Sequence, residues 1–469
     1  MQDFPATFGT DNFGTLQLGD KRRAPRLAKL MDLLLRHPGG SLPDKLNRPA
    51  DLRAFYKLMD RPEVTHAVVL GGHADHTRRA IAALEPGTVV LLLHDATELD
   101  FTSKKTLLAS LGQIGQGTHR GYICHNSLAV RADSGETLGL TSQLLHHRAD
   151  VPKHETPKQS RERLNRESRL WPRGAAASGP APAGIRCVDV SDSLSDTFEY
   201  LAYEISHGRE FVLRAREDRK LVEPVAKGQF LLDAARRLPP AGEHQITVLD
   251  SPTRQARTAT VRVAFAPATI AAPGEKLGDY DAKSLDLWII RVWEPKPPKG
   301  EEPLEWILLT NVPVANHDDA RERIAWYERR PIIEEYHKGM KTGCSIEGMQ
   351  FTTIGRLEPA IAVVSVLATT LLRLRDAARL PDADVRSATA VVAAEYVQVL
   401  TDHYGKRLGA KPSVRKFFMH VARLGGHQNR KADGLPGWIT LWRGWMKLQC
   451  MVDGHRAAQR RFRQKHGKT

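Results

Sequence analysis

Four residues in the last third of the chain stand in the spacing Y-x2-R-x3-E-x6-K: Tyr327, Arg330, Glu334 and Lys341. One carboxylate among several cations suits a metal-bound, polyanionic substrate. A carboxylate ligates a hard divalent cation, while Arg and Lys hold phosphate oxygens. A solvated helix laced with i,i+3 and i,i+4 ion pairs would have the same composition, so the residue types alone do not decide.

A two-metal phosphoryl-transfer site needs further carboxylates. Asp95 closes the apolar run from Thr88 to His94, which Pro86-Gly87 precedes as a turn. Such a run reads as a strand buried on both faces, with Asp95 emerging at its C-terminal edge. Glu98 and Asp100 alternate along what reads as the next strand and face solvent. A second group follows Ile185: Asp189, Asp192 and Asp196. By the period of a strand, Asp189 lies inside it and Asp192 at its C-terminal end. Asp196 follows about one helical turn later. Turn formation and helix capping would account for any of them singly.

Pro331 fits the first turn of a helix and not its interior, so a helix starts near it. Within that helix Glu334, Lys338 and Lys341 fall at i, i+4 and i+7. A carboxylate and two phosphate-facing ammonium groups therefore share one stripe.

The four-residue spacing resembles the YREK signature of bacterial insertion-sequence DDE transposases of the IS-four family, which includes the transposon-five enzyme. The family pattern of an aspartate ending a strand and a second four residues later matches Asp192 and Asp196. Asp189 is the fallback. Ser193 stands where the family has Arg, and Pro331 where many members have an aromatic residue. The signature spacing selects Glu334 over Glu335.

The resemblance implies an RNase H-like α/β catalytic core with a β-strand-rich insertion, flanked by helical N- and C-terminal domains. It implies that Asp95, Asp192 and Glu334 hold two Mg2+ or Mn2+ ions for cut-and-paste transposition through a DNA hairpin. Arg330, Lys338 and Lys341 would grip phosphates, and the Tyr327 hydroxyl would position the same backbone. Trp306 would stack on a base flipped from the transposon end. The implied partners are transposon-end inverted repeats, target DNA and a second copy of the chain in a synaptic dimer. Two other readings stay open: an RNase H-like nuclease without strand transfer, and a non-catalytic DNA-binding derivative.

The chain around this site divides into three regions. Residues 1 to about 70 read as a helical DNA-binding unit. Its first helix opens at Gly19-Asp20 and carries Arg22, Arg26 and Lys29 at i, i+4 and i+7, backed by Leu27, Leu30, Met31 and Leu34. Ala54 to Met59 and Pro62 to His66 are also similar to the family's N-terminal domain. Residues 71–378 form the catalytic domain, with the insertion at about 211–314. Two strands flank the turn Asp133–Glu136, and His125 reads as a hydrogen-bonded structural histidine rather than one that approaches the metal site. Trp171 to Gly184, rich in Ala, Pro and Gly, reads as a surface loop. Residues 379–469 form a helical C-terminal domain. Trp438, Trp442 and Trp445 share one face there, for packing within the chain or for dimerisation. A mobile tail from Gly454 carries Arg456, Arg460, Arg461, Arg463, Lys465 and Lys468.

Composition agrees with a polyanion partner. The 469 residues include 69 Lys+Arg against 54 Asp+Glu, a net charge of +15 with pI near 9.7. The four cysteines show neither a CxxC pair nor zinc spacing, as expected of free thiols in a reducing cytoplasm. The N-terminus lacks a signal-peptide pattern, and the apolar segment Ile361 to Leu372 is too short for the roughly 20 residues of a membrane span. It reads as a buried helix. The expected location is the bacterial cytoplasm, at the nucleoid, with no membrane partner.

Overall fold

A computed structural model describes residues 7–37, 39–148, 154, 156, 159, 163, 165–248, 256–274, 280–430 and 434–466. Its strands are β1 (Val89–Asp100), β2 (Gly112–Gln113), β3 (Arg120–Arg131), β4 (Thr137–His146), β5 (Arg186–Ser191), β6 (Glu210–Arg214), β7 (Lys220–Val225), β8 (Gly228–Phe230), β9 (Gly242–Val248), β10 (Arg257–Ala271), β11 (Ser284–Trp293) and β12 (Glu305–Thr310). They form one sheet in the order β2-β3-β1-β5-β6-β12-β11-β10-β7-β8, with β4 beside β3 and β9 beside β10.

The centre of this sheet is mixed. β3 runs antiparallel to β1 and β4, whereas β5 runs parallel to both β1 and β6. Parallel neighbours need crossovers, and the helices Leu170–Ser178 and Phe198–Ser206 lie on the connections into β5 and β6. Both faces of β1 and β5 are covered, so β1 is apolar on both from Val89 to Leu93, while β5 alternates Val188 and Val190 with the buried Asp189 and Ser191. Leu91, Leu93, Val188 and Val190 join one core with the N- and C-terminal helices. Trp171, Phe198, Tyr200, Phe211 and Leu213 form a second core.

Several sequence expectations need correction. β1 does not end at Asp95 but continues to Asp100, so Glu98 and Asp100 lie on the same strand. The run from Trp171 is not a loop: Leu170–Ser178 is a helix pressed onto the sheet, and its small residues permit the approach. A Cβ at Gly174 would lie 2.3 Å from His125 Cε1. The strand-rich segment, expected as an insertion within the catalytic domain, continues the central sheet, because β6 pairs with β5 and β12 with β6. The first basic helix starts at Arg23 rather than at Gly19-Asp20, with Arg22 as its cap residue.

The helix Ile354–Ala377 is the one described helix long and apolar enough to cross a membrane. Its residues from Pro359 to Leu372 are all buried within the protein, which explains an apolar surface all round. The C-terminal helix runs unbroken through Trp438–His466, so the basic tail is helical up to His466. Lys468 and the Lys465 side chain lie outside the described residues. Trp438, Trp442 and Trp445 pack within the chain, and Trp445 stacks on Tyr396 at 5.2 Å with their planes nearly parallel. Gly425 and Gly444 let the Val414–Leu424 helix cross the C-terminal one. A Cβ at Gly444 would lie 1.8 Å from the Val421 carbonyl oxygen.

Candidate active site

The β1–β5 register places two of the acids. The last parallel pair is His94 with Ser191, so Asp95 and Asp192 are the next residue on each of two adjacent strands. Strand alternation puts both on the face of Leu91, Leu93, Val188 and Val190. Asp95 is buried and accepts the Ala96 N–H at 2.8 Å. Asp192 caps the short turn Ser193–Ser195 by accepting the Leu194 N–H at 3.0 Å.

The third acid comes from a helix over that face. Pro331–Lys338 has proline at its first position, as the sequence predicts, and carries Glu334 in its first turn. Arg330, its cap residue, ion-pairs with Glu334 one turn on and reaches Asp95 at 3.4 Å. Burial raises the Asp95 carboxyl to about 7, with Asp192 and Glu334 adding repulsion against the pull of Arg330. Burial also raises the Asp192 carboxyl, and the Leu194 N–H and Arg330 oppose it. The three acids therefore share one electrostatic environment that a single guanidinium offsets only in part.

Among the described residues no three His, Cys, Asp or Glu side chains are gathered into a ready metal-binding group. Arg330 engages two of the three acids, and Asp192 is turned to the backbone. The donor chemistry nevertheless fits a hard divalent cation: three carboxylate groups whose mutual repulsion one guanidinium offsets only in part.

The neighbouring acids are already committed. Asp189 is buried with His94 and Arg209, and Asp196 accepts the backbone N–H groups of Arg216 and Glu217 and ion-pairs with Arg219 at 2.5 Å. Glu335 pairs with Arg375, Glu98 accepts the Gly115 N–H, and Asp100 meets His119.

The cations divide less simply than the sequence suggests. Lys338 is exposed on the helix. Beyond it the chain widens into a π-helical turn over Gly339–Gly343, so the 3.6-residue spacing no longer carries Lys341 to the Glu334 stripe. Lys341 lies 3.4 Å from Glu347 instead. Tyr327 is buried, with its ring edge-on to Trp306 at 5.4 Å. Both line a cleft of about 460 Å³ with Arg214, Arg329, Arg330 and Pro331. Half-buried Trp306 thus faces a cleft that Arg330, the partner of Asp95 and Glu334, also lines. In the N-terminal unit Arg22 pairs with Asp20 at 2.8 Å and Arg26 with Asp51 at 2.9 Å, while Lys29 is exposed.

Several supporting residues escaped the sequence reading. Asn126 stands opposite Asp95 in the β1–β3 register and donates to His337 Nε2 at 3.1 Å. Gln143 donates to Asn126 Oδ1 at 2.7 Å. Arg329 donates to the Ala132 and Asp133 carbonyls, holding the start of the helix to the β3–β4 turn. Polar residues within otherwise apolar strands were the available signal. His125 is buried between His94 and Trp171, and neither of its ring nitrogens has a hydrogen-bond partner, which departs from the hydrogen-bonded histidine expected.

Residues 5–64 match the family described as Transposase DNA-binding. Among solved structures the chain is similar to a piggyBac transposase synaptic complex with hairpin DNA, determined by cryo-EM. The two share 9% sequence identity, with 93% of this chain and 73% of that chain covered and a TM-score of 0.37. A likeness at that score does not establish a common fold. The N-terminal unit is therefore similar to a transposase DNA-binding domain.

Proposed function

We propose that this chain is a cut-and-paste DNA transposase of the YREK, IS-four kind. It binds transposon ends, cleaves them by metal-dependent phosphoryl transfer through a hairpin and joins the 3′ ends to target DNA. The observation that carries this reading is that Arg330 joins Asp95 to Glu334 while Asp192 stands beside Asp95 on the adjacent strand, in a chain whose residues 5–64 match the transposase DNA-binding family. A mixed sheet with two acids on adjacent parallel strands and a third on a covering helix supports an RNase H-like core.

In this reading Asp95, Asp192 and Glu334 hold two Mg2+ or Mn2+ ions. Such a pair, when bound, supplies a nucleophile at neutral pH and neutralises the leaving oxygen. Arg330 exchanges carboxylate partners for a phosphate oxygen, one anion for another. Lys338 adds charge along the same path, and Lys341 joins it by leaving Glu347. The Tyr327 hydroxyl positions the backbone at the cleft. Trp306 offers a π face to an extruded base, which every base can use. Arg22, Arg26 and Lys29 lie on phosphates of the end sequence. Two copies of the chain assemble on paired ends at the bacterial nucleoid.

The test is a labelled duplex carrying the inverted repeat that flanks the coding sequence, incubated with Mg2+ and a supercoiled target. Nick, hairpin and joined product are scored on denaturing gels. All three products support transposition. A nick without hairpin or joining makes the chain a nuclease, and binding without cutting makes it a non-catalytic derivative.

A further inference from the structure

The sheet face opposite the acids carries a buried charged cluster that the proposed chemistry does not use. Asp189 is 1% exposed in β5. His94 Nε2 donates to its Oδ1 at 2.5 Å, and Arg209 donates to both carboxylate oxygens from Nε and Nη2 at 2.9 Å. Arg209 Nη1 donates to the Gly179 carbonyl at 2.9 Å, and buried Glu204 lies 3.4 Å from Arg209. His94 Nδ1 meets Ser127 Oγ at 2.9 Å. One cluster thus ties β1, β3, β5, the residue just before β6 and the end of the Leu170–Ser178 helix.

Its place in the register matters. His94 immediately precedes Asp95, and Asp189 stands three residues before Asp192. Alternation sets His94 and Asp189 on one face and the two catalytic candidates on the other. Val89 to Leu93 is an unbroken apolar run covered on both faces, so its side chains discriminate weakly between alignments with β5. A slip of one residue would send Asp95 to the wrong face. Buried charges contribute little net stability compared with apolar packing. In any other alignment, however, they would lose their partners, which specifies one register strongly.

We infer that the His94–Asp189–Arg209 cluster is a positioning device that pins β1 against β5, so that Asp95 and Asp192 stand side by side to take up a divalent cation. The inference rests on the reading of those acids as metal ligands. The experiment measures Mn2+ binding to the full chain without DNA by electron paramagnetic resonance. Melting temperature and DNA affinity are followed in parallel. Asp189→Asn, which keeps the shape but removes the charge, should weaken Mn2+ binding about tenfold or more. Arg209→Lys, which keeps the charge but loses the fork, should act in the same direction and carries the test if Asp189→Asn does not fold. Leu448→Ala, a fully buried site in the C-terminal helix, supplies a destabilised control whose Mn2+ affinity should not move. Cluster variants that bind Mn2+ as the wild type does, or that shift no more than the control, overturn the inference alone. A wild-type chain that binds no Mn2+ removes the reading of the site and the inference with it.

Discussion

Asn126 and His337 meet at 3.1 Å and join the central sheet to the helix that carries Glu334. Asn126 is the β3 residue opposite Asp95, so this bond sets the third acid against the first. Burial, with Lys341 and Arg330 nearby, lowers the His337 imidazole to about 3, so its ring stays neutral and Nε2 accepts from the Asn126 amide.

This predicts a pH dependence. A histidine whose folded pKa lies below its unfolded value contributes stability above about 6.5, and that contribution is lost as pH falls towards 3. His337→Gln should flatten the fall in unfolding free energy over that window by up to about 1.4 kcal/mol per pH unit. Urea unfolding at stepped pH measures it, and parallel curves for the two proteins would contradict it.

The N-terminal cations are predicted to differ from one another. Lys29 is exposed, whereas Arg26 also neutralises Asp51, which is largely buried. Lys29→Ala should reduce the slope of log affinity against log salt by about 1 and leave melting unchanged. Arg26→Ala should lower the melting temperature as well. An unaltered slope for both would return this helix to a solvated face.

Trp306 is predicted to act after the first nick. Stacking on an extruded base contributes roughly 1–3 kcal/mol. Trp306→Ala should therefore spare nicking and depress hairpin formation, by about tenfold or more at the upper part of that range. Equal loss of both products would instead mark the ring as a packing residue of β12.

Gly444 is predicted to be indispensable to the C-terminal helix crossing. A Cβ there would lie 1.8 Å from the Val421 carbonyl oxygen, so the helices must separate to admit it. Gly444→Ala should cost about 1–3 kcal/mol in denaturant unfolding. A neutral result would mean that the crossing is looser than the structure has it.

The parts of this site legible in sequence were those fixed by local spacing. Pro331 marked its helix, and the continuous apolar run marked β1. The end of β1 was not legible, because Asp95 is a polar residue within a strand and reads like a terminus. Trp171 to Ser178 looked like a loop because Ala and Gly signal flexibility when alone. Here they are small so that a helix can lie against His125. The π turn after Lys338 has no spacing signal, and it moves Lys341 off the expected stripe. The continuity of β6 with β12 is a pairing across about a hundred residues, which no local pattern carries.

The central claim, that Asp95, Asp192 and Glu334 form one metal-dependent catalytic centre, is tested most directly by end cleavage with single variants. The wild-type chain, Asp95→Asn, Asp192→Asn and Glu334→Gln are each given a labelled transposon-end duplex, with Mg2+ or with chelator. The account predicts cutting by the wild type only with metal, and variants that bind the duplex normally yet cut no faster than background. A variant that cuts at the wild-type rate, or a wild type that cuts equally in chelator, would contradict it.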